Sequence, residues 1–101
     1  MPVAVLAAGC LTEAQQFGGS GPITLSPEVT RAFEWHKHLG GYLVVSSDGG
    51  HFGESYCATK DCTDVGVLDA LFKCRALTTS DCRLFAKDGV VVWDGPWRTA
   101  E

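Results

Sequence analysis

The sequence predicts a small α+β domain, a two-layer sandwich with a mostly antiparallel four-stranded sheet, two helices in the order α-β-β-α-β-β, and two disulfides. Three observations carry this expectation. A chain of 101 residues has room for one core and no second domain. Two stretches place apolar side chains at helical spacing behind capping residues, and between and after them lie runs rich in β-branched and aromatic residues. Four of the five cysteines fall between positions 57 and 82, where bridges can reinforce a core of this size.

Residues 1–10 are apolar and small, Val3-Ala4-Val5-Leu6-Ala7-Ala8-Gly9, and close on Cys10. Small side chains ahead of a cysteine let a peptidase reach the backbone, and the thiol can then carry a lipid. The stretch reads as the end of a bacterial lipoprotein signal, although Ala7 stands where leucine is usual and no basic residue precedes Cys10. The alternative is an ordinary strand or a frayed terminus. Residues 11–25 include Phe17-Gly18-Gly19-Ser20-Gly21-Pro22, a composition expected to form a flexible tether. The domain proper is then expected to occupy 26–101.

Ser26-Pro27-Glu28 supplies a cap, a proline at the first helical position and an acid in the first turn. Val29, Ala32, Phe33, Trp35 and Leu39 follow at roughly helical spacing, and Gly40-Gly41 ends the helix. Tyr42–Ser47 reads as a strand, Asp48-Gly49-Gly50 as a turn, and His51–Cys57 as the returning strand. Alternation puts Phe52, Glu54 and Tyr56 on one face of it, and His51, Gly53, Ser55 and Cys57 on the other. Thr63 or Asp64 caps a helix reaching Leu77, with Val65, Leu68, Leu71, Phe72 and Leu77 expected as its buried stripe. Cys82–Lys87 and Val90–Trp93 flank Asp88-Gly89, a strong hairpin signal.

The helix constrains the cysteines. Cys62 precedes it and Cys74 lies well along it, so their Cα atoms are roughly 15–18 Å apart at ~1.5 Å per residue. A disulfide needs about 7 Å or less. This excludes Cys62–Cys74 together with its complement, Cys57–Cys82. Of the two pairings left, Cys57–Cys62 with Cys74–Cys82 is the more local and is preferred. Each such bridge is worth roughly 2–3 kcal/mol in the chain-entropy account.

Ser47-Asp48-Gly49, Gly53-Glu54-Ser55-Tyr56-Cys57, Cys62, Ala70-Leu71 with Cys74, Cys82-Arg83-Leu84-Phe85-Ala86 and Val91-Val92-Trp93 form a recognisable series. With it, the stretch from Tyr42 to Trp93 resembles small secreted bacterial domains of unknown function. The resemblance covers about half the chain. Its motifs are structural, so it implies a fold and a compartment and transfers no catalytic residue.

Eight Lys and Arg against twelve Asp and Glu give a formal charge of -4. That balance argues against nucleic acid and against an anionic membrane surface as partners. His36 and His38 point about 200° apart on a helix, which reads as exposed histidines near a helix end rather than a metal chelate. Ser46, Ser47, Asp48, His51 and Ser55 are close in sequence but lack a nucleophile-elbow spacing. Cys57 and Cys62 lack the Cys-x-x-Cys spacing of redox motifs, and Gly49-Gly50-His51-Phe52-Gly53 lacks that of a dinucleotide loop. Trp93 reads as core, and Trp97 as either a packed tail or an aromatic anchor.

These readings lead to a non-enzymatic, disulfide-stabilised binding or accessory domain of the bacterial envelope, periplasmic or anchored at the outer membrane. Its only contact with membrane is expected through a lipid on Cys10, with secretion as the alternative address. The expected partner is an unidentified envelope protein or small ligand, with no metal and no cofactor, and Trp97, Trp35 and His51 are the candidate binding residues. Two other classes remain: a small hydrolase or metal-dependent enzyme centred on His51 with Ser55 or Asp48, and an inhibitor or immunity-type protein presenting an acidic face with Trp97.

Overall fold

Tyr42-Leu43-Val44-Val45 contains no charged residue, and all four side chains are completely buried. Period-two alternation sends Tyr42 and Val44 to one face of the strand and Leu43 and Val45 to the other, so each face needs its own cover. The computed structural model describes residues 12–56 and 64–100. Cys10, Cys57 and Cys62 lie outside the described residues, and with them the lipidation reading and the Cys57–Cys62 bridge.

Among the described residues the order is α1 (Glu13–Phe17), β1 (Ile23–Leu25), α2 (Pro27–Leu39), β2 (Tyr42–Ser46), β3 (Phe52–Ser55), α3 (Asp64–Arg75), β4 (Cys82–Lys87), β5 (Val90–Val91) and β6 (Trp97–Thr99). The expected α+β class and four-stranded antiparallel sheet are present, with strand order β3-β2-β4-β5. The layering differs from the expectation. Val29, Ala32 and Phe33 of α2 pack with Leu43, Val45 and Phe85 on one face. Val67, Ala70, Leu71 and Cys74 of α3 pack with Tyr42, Val44 and Leu84 on the other. The sheet is therefore covered by a helix on each side, giving three layers rather than two. The short α1, capped by a reciprocal Thr12–Gln15 box, adds a third helix.

The segment 12–25 is not a free tether. Ile23–Leu25 forms β1, which pairs in parallel with β6 from the C-terminal tail. Ile23 and Leu25 are buried while Thr24 faces out. Gly19 lies against the Trp93 ring, where a Cβ atom would have no room. The Trp93 indole N–H donates to the Gly21 carbonyl at 2.7 Å. Of the glycines that suggest flexibility, Gly19 is the one at which the backbone passes a tryptophan.

Val29, Ala32 and Phe33 of α2 and Leu71 of α3 are buried as expected, and the rest of each stripe differs. On α2 the buried set is Val29, Ala32, Phe33 and His36, while Trp35 and Leu39 face solvent. On α3, Val67, Ala70, Leu71 and Cys74 are buried, and Leu68, Phe72 and Leu77 are exposed. Gly66 has a packing reason, because a Cβ there would touch the Tyr42 ring at 2.9 Å. Cys74 and Cys82 form the expected disulfide, with Cα atoms 6.2 Å apart, joining the end of α3 to the start of β4.

The Asp88-Gly89 turn has positive φ at both residues (50° and 83°), as a two-residue hairpin requires. Its second strand stops at Val91, two residues short of Trp93, because Val92 and Trp93 both turn their N–H groups onto the Phe85 carbonyl. Trp93 thereby leaves the ladder to close over Gly19 and is buried, as expected of a core residue. None of the helices among the described residues is long and apolar enough to cross a membrane.

Candidate binding surface

Strand β3 is one edge of the sheet. Phe52, Glu54 and Tyr56 share its α2-facing side, and opposite them α2 presents Arg31, Trp35 and Leu39. Between the two lies a groove of about 460 Å³. A second groove, of about 450 Å³, runs along the other flank of β3, where Phe72, Ala76 and Leu77 of α3 and the following turn meet Phe52 and Tyr56. Trp35 is 64% exposed, Tyr56 56% and Phe72 73%, so three large aromatic side chains stand in solvent around one strand. Such residues are the usual anchors of binding interfaces.

The edge itself is guarded. β3 is four residues long, and the Lys73 ammonium donates to the Glu54 carbonyl at 3.1 Å. Asp69 holds the same ammonium at 2.9 Å. A lysine placed on an unpaired strand carbonyl discourages a second sheet from adding there. Gly53 lets α3 approach this strand closely, since a Cβ would meet the Cys74 amide nitrogen at 2.6 Å.

Glu54 sits between the two grooves. Its Oε1 accepts from the Tyr56 hydroxyl at 3.0 Å. That hydrogen bond to a carboxylate, with lesser contributions from burial and the nearby negative charge, holds the Tyr56 phenol above its usual pKa. The other oxygen, Oε2, is shielded from solvent and has no hydrogen-bond partner among the described residues.

The hydrophilic turn after β2 forms a separate cluster. Asp48 accepts from the Ser46 hydroxyl, from the Gly50 N–H at 2.9 Å and from the Ser80 hydroxyl at 3.1 Å. These bonds, led by that from Ser46, hold its carboxyl below the usual range. Ser46 is buried and its hydroxyl also accepts the His51 N–H, so it is committed to the turn. His51 is exposed at the start of β3 and Ser55 is that strand's last residue. At ~3.3 Å per residue these two lie roughly 13 Å apart. The structure brings His51 near Asp48 but not near Ser55.

The other candidates are scattered. His36, expected at the surface, is completely buried and accepts the Gly89 N–H on Nε2 at 2.9 Å. The reason is its phase on α2, three residues beyond Phe33 and four beyond Ala32. His38 is exposed. Among the described residues no group of three or more His, Cys, Asp or Glu side chains is placed to hold a metal. Trp97 is a partly exposed tail residue whose ring packs edge-on to Phe33 and Phe85, each at 5.5 Å. It lines a groove beside β1 that has no lining residue in common with the grooves flanking β3. Of the expected binding residues, therefore, only Trp35 stands in the aromatic face. Phe72 joins that face because the phase of α3 turns it outward, and Tyr56 because it follows an edge strand.

No protein-family model matches the chain, and neither a curated protein nor a solved structure matches it significantly.

Proposed function

We propose that this chain is a non-enzymatic binding domain of the bacterial envelope, and that it works through the aromatic face around β3. The observation that carries the reading is the exposure of Trp35, Tyr56 and Phe72 about one guarded edge strand. A folded domain gains nothing in stability from leaving such surface wet, and contiguous apolar exposure marks interaction sites. The Cys74–Cys82 bridge supports an oxidising address. The apolar run ending at Cys10 supports attachment to a membrane through a lipid.

Site-specific photo-cross-linking in the native cell tests this. A photoreactive side chain at position 35 or 72 should trap one and the same envelope component. The same group at Val90, exposed on β5 at the opposite edge of the sheet, should not. Equal trapping from all three positions, or none from 35 and 72, would overturn the proposal.

A further inference from the structure

We infer that the α2–β3 groove receives a lysine or arginine side chain of the partner polypeptide, with its cationic end at Glu54 and its methylene stem across Trp35 and Tyr56. The inference rests on the binding role proposed above and deepens it.

Glu54 is the first reason. A carboxylate oxygen without a donor among the described residues is unfavourable, and a charged N–H donor, met by turning the Glu54 side chain toward the groove, is the partner that relieves it most strongly. Its surroundings are the second. Trp35 and Tyr56 offer ring faces that attract a cation and apolar surface along which an aliphatic stem can lie. The third is charge. Glu28 and Arg31 on the α2 side of the groove offset one another, which leaves Glu54 to set its sign, and the chain as a whole carries -4.

A polypeptide suits the site better than a small cation does. The apolar surface continues over β3 to Phe72 and Leu77, further than an isolated amine would reach. Because Lys73 already occupies the Glu54 carbonyl, recognition falls to the partner's side chains rather than to an added strand.

The test uses the whole chain, isotope-labelled and oxidised, titrated with acetyl-Leu-Lys-Leu-amide and with its norleucine counterpart. The expected result is a shift of the Trp35 indole and of the Glu54 and Tyr56 amide signals, with the lysine peptide binding roughly tenfold tighter. Glu54→Gln, which keeps an acceptor for Tyr56, should abolish that preference and leave the rest of the spectrum in place. Equal affinity for the two peptides would overturn the cation site while leaving the aromatic face as a docking surface. Failure of the lysine peptide to shift those signals would overturn the cation site as well. The cross-linking experiment decides the wider reading independently.

Discussion

Gly89 donates its backbone N–H to Nε2 of His36 at 2.9 Å, tying the last turn of α2 to the hairpin between β4 and β5. An accepting Nε2 makes the ring neutral, with its proton on Nδ1, and Nδ1 is buried without a partner among the described residues. Protonation would break the Gly89 bond and place a charge inside the domain. Burial accordingly lowers the pKa of His36, and the Asp88 carboxylate and a backbone hydrogen bond at Gly40 offset only part of that effect. As pH falls, the unfolded chain takes up this proton first, near ~6.5. Stability contributed by neutral His36 is therefore complete above that value and is lost on acidification towards the lower native pKa. Urea unfolding on either side of it should show the decline, and His36→Leu should flatten it. A slope that survives the substitution would place the sensitivity elsewhere.

The phase of α3 yields a paired test. Leu71 is buried between helix and sheet, whereas the adjacent Phe72 is 73% exposed. Leu71→Ala should lower unfolding stability by roughly 2–5 kcal/mol. Phe72→Ser should change it by less than about 0.5 kcal/mol. Denaturant midpoints with unchanged slopes would establish the contrast.

Gly53 is a contact point between β3 and α3, with the Ala70 carbonyl and the Cys74 amide where a Cβ would stand. Neither backbone group can move without shifting the helix. Gly53→Ala should therefore destabilise by about 1–3 kcal/mol despite adding a single methyl group. Thermal unfolding measures it, and an unchanged midpoint would mean that α3 stands off the strand.

The Cys74–Cys82 bridge closes a short loop between α3 and β4. Replacing both cysteines by alanine should cost about 2–3 kcal/mol of unfolding free energy. The oxidised protein should lose a similar amount on reduction, as read by urea titration with and without reductant.

Much of the fold was legible in the residues. Ser26-Pro27 marked the start of α2, and Asp88-Gly89 marked its hairpin, because caps and turns are local chemistry. Long-range pairing was not legible. Ile23-Thr24-Leu25 is a triplet of apolar, polar and apolar β-formers, but its partner β6 lies in the C-terminal tail. Two further signals stand in the sequence. The unbroken apolar run Tyr42–Val45 implies a strand covered on both faces, and hence a helix on each side. Cys74 points inward to its bridge, and Val67, Ala70 and Leu71 precede it by seven, four and three residues. That spacing fixes the buried stripe of α3 and turns Phe72 outward. The aromatic face is not legible in the sequence because it depends on that phase and on β3 being an edge.

The claim on which both the stability and the address depend is that this domain lives with its sulfur oxidised. Alkylation of protein taken from its native cell without reductant, followed by peptide mass spectrometry, tests it most directly. The peptides of Cys74 and Cys82 should be recovered as one linked species that separates only on reduction. Recovery of both cysteines as free, alkylated thiols would contradict it and move the domain to a reducing compartment.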